Sequence, residues 1–174
     1  MSEEITATAS PSKTAARAIG LVTAFAMLVV DQAHKLWMID VFDISSRQPV
    51  HVLPWLDLVM AWNNGISYSL LQADTAAGRY GLLALTLAAT LLLAVWMWRA
   101  GEGLTTFALG LVVGGALGNA YDRFTYGAVA DFFYIHVGSF SWYVFNLADV
   151  GIVAGVGLLL YESLFIKEKT VKTV

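Results

Sequence analysis

Hydrophobic and polar positions in this chain separate into four long apolar blocks and two mixed stretches between them. The blocks fall at about 18–39, 76–98, 104–121 and 146–166, and each approaches the roughly 20 residues that a membrane-spanning helix needs. The first is read as a retained span. No small-x-small cleavage site follows it, and Asp31-Gln-Ala-His-Lys35 continues its helix. The stretch at about 41–70 alternates in Val50-His-Val-Leu and Leu56-Asp-Leu-Val-Met-Ala-Trp62, predicting short strands that lead into an Asn63-Asn64-Gly65 turn. The second mixed stretch runs from Asp131 to Asp149. Its Gly138-Ser139 sits between two aromatic and β-branched runs and predicts a hairpin. With that apex Asp131 lies opposite Asn146, and Asp149 follows one helical turn later. The predicted fold is an all-α membrane protein with a small β element: four transmembrane helices and a small sheet at the outer surface. The 131–146 hairpin is the candidate extension of the outer sheet.

Composition agrees with a bilayer as solvent. Of 174 residues 58% are apolar and 13% charged, against about 25% charged in soluble domains. The length suits one integral-membrane domain, with residues 1–14 a flexible polar tail. Cysteine is absent, which excludes disulfides and thiolate chemistry. The net charge of -3 and scattered basic residues offer no nucleic-acid footprint. His34, His51 and His136 are far apart and no HExxH occurs, which argues against zinc; no cofactor of any kind is expected.

Charge also sets the orientation. Lys13, Arg17, Arg99, Lys167, Lys169 and Lys172 fall on the side of the termini, and Arg47, Arg79 and Arg123 on the other, with Lys35 near its boundary. The imbalance predicts cytoplasmic termini and outward-facing mixed stretches. Trp37, Trp55, Trp62 and Trp142 suit an aromatic belt at the outer surface, and Trp96 and Trp98 mark the opposite one. Gly110, Gly114 and Gly118, with Gly115, and then Gly151 and Gly155, form small-residue stripes that predict close packing of spans three and four.

The polar residues in and beside the spans each admit two readings. Asp31 and Lys35 share a helical face; they are either a helix-end ion pair with a snorkelling lysine or a pair in which Asp31 points into a site. Asn63-x-Gly65 is either a turn or a holder of substrate backbone. Asn119-x-x-Asp122 and Asn146-x-x-Asp149 repeat one spacing, and Arg123 beside Asp122 can form an ion pair. Asn146 and Asp149 also read as a capping box. An apolar setting raises the carboxyl pKa of Asp131, while a helix N-terminus favours negative charge at Asp149. Two carboxyls in environments pushed apart are the acid and base of aspartic-protease chemistry. On this reading alone Asp122 and Asp131 both stay open as the partner of Asp149.

With these residues in view, the chain resembles the signal peptidase II (lipoprotein signal peptidase) family of bacterial membrane aspartyl proteases. Four blocks match in order: Asp31-Gln32-x-x-Lys35; Asn63-x-Gly65; Gly114-Gly115-Ala-x-Gly118-Asn119-x-x-Asp122-Arg123 running on to Gly127-x-Val129-x-Asp131-Phe132; and Phe145-Asn146-Leu-Ala148-Asp149. The resemblance covers about residues 15–166. It places the catalytic pair on Asp131 and Asp149, with support from Asp31, Lys35, Asn63, Gly65, Asn119, Asp122, Arg123 and Asn146. It implies a prolipoprotein whose cysteine bears diacylglycerol, cut just before that cysteine, and inhibition by globomycin-type peptides. It also implies a monomer in the bacterial inner membrane with its site and β-cradle on the periplasmic face. Two departures are Ser67-Tyr68 in place of Ala-Phe, and Asp149-Val-Gly151 where alanine is commoner after the intervening residue.

Two rival classes remain distinguishable. A small transporter with Asp31, Lys35, Asp122 and Asp149 as a polar path would place them near the midplane, whereas here they cluster at the outer ends of spans. A non-catalytic scaffold would need no paired Asn-x-x-Asp blocks.

Overall fold

The computed structural model describes residues 12–65 and 75–166. Helix α1 runs Lys13–Leu36 and continues as a π-helical turn, Trp37–Val41; a short α2 spans Ile44–Arg47. Strands β1 (Val50–Leu53) and β2 (Leu56–Asn63) precede α3 (Ala76–Arg99) and α4 (Gly103–Thr125). Strands β3 (Val129–Val137) and β4 (Phe140–Ser141) lead into α5 (Leu147–Tyr161) and a closing π-helical segment, Glu162–Ile166. Four helical segments are long and apolar enough to cross a membrane, at Lys13–Val41, Ala76–Arg99, Gly103–Thr125 and Leu147–Ile166. These match the four apolar blocks: the first and third extend several residues beyond them, and the second and fourth agree to within one residue.

Helix α4 is the hub. Of its most apolar 18-residue window 67% is buried, against 17–22% for the other three, so the other helices surround it and show lipid most of their surface. The glycine stripe packs spans three and four closely, as its sequence reading predicts, and it also draws in α1. A Cβ on Gly110 would meet the Gly20 carbonyl at 2.7 Å, and one on Gly114 would collide with the Ala24 carbonyl. Both face α1. On the adjacent face a Cβ added to Gly115 would meet the Ala148 carbonyl at 2.5 Å, and one added to Gly155 of α5 would meet the Ala108 carbonyl at 2.5 Å. The run of small residues therefore draws two helices onto α4 at once, because glycines three, four and five positions apart cover two sides of a helix.

Polar clasps fix the end of the bundle away from the sheet. Arg17 donates from Nε to the Trp98 carbonyl at 3.0 Å and lies 4.6 Å from the centre of the Trp98 ring, joining α1 to α3. The Thr105 hydroxyl lies 2.7 Å from a carboxylate oxygen of buried Glu162, joining α4 to α5.

At the opposite end the strands form one antiparallel sheet in the order β1-β2-β3-β4. Both predicted strands occur where the alternation placed them, and the hairpin joins the sheet by β3 pairing with β2, Ala61 opposite Asp131. Gly138, the first of two turn residues, has φ 59°, a backbone that glycine adopts without a Cβ penalty. The hairpin departs from an ideal ladder. Pairing holds at His136–Ser141 and Val137–Phe140, but the next contact is Phe133 with Phe145. One extra residue on the returning strand shifts the register, and the Phe145 carbonyl accepts from both Phe132 and Phe133. Asn146 consequently reaches Asp131 through its side chain, where a continuous ladder would have paired their backbones. Beneath the sheet Met38, Ile44, Ala130 and Phe132 form a buried core, seating it on the end of α1. Asp57 pins its strands: His51 Nδ1 lies 2.7 Å from one carboxylate oxygen and His136 Nε2 lies 3.1 Å from the other. These bonds, that from His51 foremost, hold the Asp57 carboxyl below its usual pKa, so the clamp weakens as pH falls into the carboxylate range.

Gly114→Ala is expected to destabilise the protein by about 1–3 kcal/mol through overpacking. Gly157→Ala, where nothing lies within 4 Å of the added carbon, should be neutral or stabilising. Thermal unfolding of both variants in detergent tests the contrast; equal melting temperatures would refute the close approach of α1 and α4.

Candidate active site

The site is built from the sheet-side ends of α1, α4 and α5 and the adjoining ends of β2 and β3. Its foundation is Lys35, 2% exposed, whose ammonium lies 2.8 Å from Asp31 Oδ2, 2.7 Å from Asp122 Oδ2 and 3.1 Å from Asn119 Oδ1. All three of its donors are used. Asp31 and Asp122 are each 0% exposed, so the snorkelling alternative is overturned: the lysine turns inward. Asp31 Oδ1 also accepts from the Ala148 N–H at 2.9 Å, so a carboxylate on α1 satisfies an orphan donor at the start of α5. Asp122 accepts from the Ala130 N–H at 3.2 Å and so locates β3.

Two amides carry this order outward. Asn119 accepts from Lys35 and donates from Nδ2 to Asp149 Oδ1 at 2.9 Å. Asn146, wholly buried, donates from Nδ2 to Asp131 Oδ1 at 2.6 Å and also to Asn119 Oδ1 at 3.1 Å. Its Oδ1 accepts from the Asp149 N–H at 2.9 Å, and its own N–H donates to Asp149 Oδ2 at 3.3 Å. That is the reciprocal capping box expected from the sequence. On the far side Asn63 donates from Nδ2 to Asp131 Oδ2 at 3.2 Å and accepts from the Gly65 N–H at 3.1 Å. Its side chain closes the turn and holds a carboxyl; the sequence reading had offered it to a substrate backbone.

Each oxygen of Asp131 and of Asp149 thus has a donor, and the two carboxyls share Asn146. Asp131 is 2% exposed. Burial first, and then the nearby Asp149, pushes its pKa up to about 7. Asp149 is half-buried and lines a cavity of about 400 Å³ with Asn63, Asn119 and Arg123.

All ten residues singled out by sequence, nine polar side chains and Gly65, lie in this one assembly. Two have different partners from those expected. Arg123 does not serve Asp122: it donates from Nη1 to the Asn119 carbonyl at 3.3 Å and from Nη2 to the Gly65 carbonyl at 3.0 Å, tying the end of β2 to α4. Asp122 turns to Lys35 instead. One residue was overlooked. Gln32 donates from Nε2 to Asp122 Oδ1 at 2.9 Å and lies 3.1 Å from the Gly118 carbonyl. Its position next to Asp31 in the first motif was the available signal. His136, beside Ser139 and Ser141 in sequence, belongs to the Asp57 cluster. The departures at Ser67-Tyr68 lie outside the described residues.

Four membrane-length helices, a small sheet at one end of them and two carboxyls held by one asparagine define a multi-pass membrane protein with an acid–base site. The chain belongs to the signal peptidase II family: the family profile described as Signal peptidase (SPase) II matches residues 23–165. It is similar to the lipoprotein signal peptidase of Methylocella silvestris, 61% identical over 86% of this chain and 87% of the relative. It is likewise similar to that of Beijerinckia indica, 58% identical over 84% and 88%. A solved bacterial membrane enzyme shares the fold at 23% identity, covering 84% of this chain and 90% of its own, with a TM-score of 0.71. A second does so at 22% identity, 85% and 94% coverage and a TM-score of 0.72. Membership makes the chain a bacterial membrane peptidase of the aspartic class.

Lys35→Met removes the only cation in contact with Asp31 and Asp122 among the described residues and leaves two buried carboxylates uncompensated. A loss of about 3–5 kcal/mol is expected, read as a large drop in melting temperature in detergent. A wild-type melting curve would show that the ammonium is not the keystone.

Proposed function

We propose that the protein removes signal peptides from diacylglyceryl-modified prolipoproteins, cutting immediately before the lipidated cysteine, with Asp131 and Asp149 activating water. The observation that carries this reading is the double grip of Asn146. It holds Asp131 Oδ1 at 2.6 Å and caps Asp149 through both its N–H and its Oδ1, so two carboxyls on different elements keep a fixed relation. Positioning of that kind is what general acid–base catalysis requires.

The roles follow from the surroundings. Asp149 sits at a helix N-terminus, where negative charge is favoured, and takes a proton from water as the oxygen attacks the peptide carbonyl. Asp131 is buried and protonated below about pH 7, and donates its proton to the carbonyl oxygen. The resulting diol returns a proton to Asp131 while Asp149 passes its own to the departing nitrogen, and the C–N bond breaks. Both carboxyls end as they began. Asp122 is a poor alternative partner, because Lys35, Gln32 and the Ala130 N–H already occupy it. Asp31, Lys35, Asn63, Gly65, Asn119, Asp122, Arg123 and Asn146 position the pair.

The protein is further assigned to the inner membrane as a monomeric, single-domain chain with cytoplasmic termini and a periplasmic site. Arg17 and Arg99 at one end of the helices, against the sheet at the other, support that orientation. Competition by a globomycin-type peptide is expected at the same site.

Cleavage of a diacylglyceryl-modified prolipoprotein by purified variants tests the assignment. Asp131→Asn and Asp149→Asn should each lose about 10²–10⁴-fold in kcat while remaining folded. Asp131→Asn should match or exceed wild-type stability near neutral pH, since a folded-state pKa raised above the unfolded one makes stability fall as pH climbs from the carboxylate range to about 7. Folded Asp122→Asn should keep measurable turnover; its complete inactivity beside an active Asp131→Asn would reassign the pair.

Since Asp131 must carry the proton, kcat/KM should decline about tenfold per pH unit above roughly 7. A profile flat to pH 9 would remove Asp131 from the acid role.

A further inference from the structure

Two cavities meet at Asp149. The first, of about 400 Å³, lies among α3, α4 and α5 and carries the polar groups of the site. The second, of about 510 Å³, lies between the hairpin and α5. Phe140, Trp142 and Phe145 form one of its walls, and Val150, Val153 and Ala154 the other; Asp149 is its one charged group. Tyr143 and Val153, like Asp149, line both cavities and so mark the ridge-like boundary where the two adjoin.

We infer that the hairpin–α5 groove seats the acyl chains of the substrate's diacylglyceryl group, while the polar cavity receives the signal-peptide backbone. This rests on the function proposed above. The two parts of the substrate flanking the scissile bond have opposite chemistry. Upstream is polypeptide, whose N–H and C=O groups need partners in a site shielded from water. Downstream, the first residue carries two hydrocarbon chains that need none. The first cavity offers asparagine and arginine side chains beside apolar positions such as Leu85 and Leu93, whereas the second offers an aromatic and aliphatic wall with Asp149 as its one charged group, so the first is the one with partners for a peptide backbone.

Access agrees with that direction. Val150 and Val153 are exposed on a membrane-length helix, so the groove is continuous with lipid and an acyl chain enters sideways without crossing water. Trp142, half-exposed on the hairpin wall, has the amphipathic character that suits the ester level of a bilayer. Moving an acyl chain from lipid into an apolar groove changes its free energy little, because lipid tails are as apolar as the wall. The groove therefore sets which way round the substrate lies more than how tightly it binds. With the chains on one side of the Tyr143–Val153 ridge and the peptide on the other, the bond to be cut lies across Asp149.

The test uses a synthetic prolipoprotein carrying a diazirine in its palmitoyl chains, irradiated on Asp131→Asn protein so that uncleaved substrate stays bound. Labels are expected within residues 140–145 and 150–154. A second probe with the diazirine in the signal peptide should label residues 85–93 and Ala116. Independently, Ala154→Trp fills the groove without touching the contacts of the two carboxyls. It should lower kcat/KM for a dipalmitoyl substrate by about tenfold or more, the scale of an overpacking clash, and spare a dibutyryl substrate. Exchange of the two labelling patterns, acyl labels spread over lipid-facing α1, or equal losses with both chain lengths would overturn the assignment. A wild type that cleaves neither substrate overturns the proposed function with it; a wild type that cleaves while its labels fall elsewhere overturns only the groove.

Discussion

A lysine ammonium buried against two carboxylates and an amide is the constraint from which the rest of this structure follows. Desolvating Lys35, Asp31 and Asp122 is expensive, and their attraction offsets that cost only where geometry is good and the remaining hydrogen-bonding positions are filled. They are filled from three directions. The start of α5 donates to Asp31 through Ala148, the start of β3 donates to Asp122 through Ala130, and Asn119 accepts from Lys35. The cluster therefore locates α1, α4, α5 and the sheet relative to one another before either Asp131 or Asp149 is considered. One ammonium against two carboxylates leaves it net negative, and the positive end of the α5 dipole is the natural complement.

Glycine makes that geometry attainable. Gly118 presses against the Asp31 carboxylate and Gly115 against the Ala148 carbonyl, so α4 touches both partners almost backbone to backbone. In lipid, where apolar side chains give helices no preference for each other over the bilayer, such close approach and polar contacts are the available forces. Packing and chemistry share one surface: the face of α4 that holds the bundle together also supplies Asn119 and Asp122 to the site.

Much of this was legible in the sequence because the signals were of types that survive without tertiary information. Four apolar blocks gave the spans, alternation gave β1 and β2, and Gly138-Ser139 gave the hairpin turn. The Asn146-x-x-Asp149 spacing gave a true capping box. What escaped depended on direction in space. The stripe of Gly110, Gly114 and Gly118 announces a close contact but not which helix fills it, and it is α1. Asp122-Arg123 reads as a neighbour pair, yet successive residues on a helix point about 100° apart, so Asp122 faces inward to Lys35 while Arg123 reaches the end of β2. Whether Lys35 snorkels or turns inward depends on Asp122, which lies far along the chain. The shift in hairpin register depends on a bulge that leaves no mark on the aromatic pattern.

The uneven burial of the helices has a consequence for how an inhibitor and its target would coexist. Helix α4 is enclosed, its glycines abut backbone, and Asn146 is wholly buried with its amide fully engaged, so a substitution on those surfaces must disturb several partners together. Helix α3 contributes only Leu82, Thr90 and Met97 to the buried set, and most of its surface faces lipid. A ligand that draws its affinity from Asn119, Asn146 and the floor of α4 leans on a wall with few escape routes. One that leans on α3 meets side chains with few packing partners beyond the cavity they line, and resistance would collect there first.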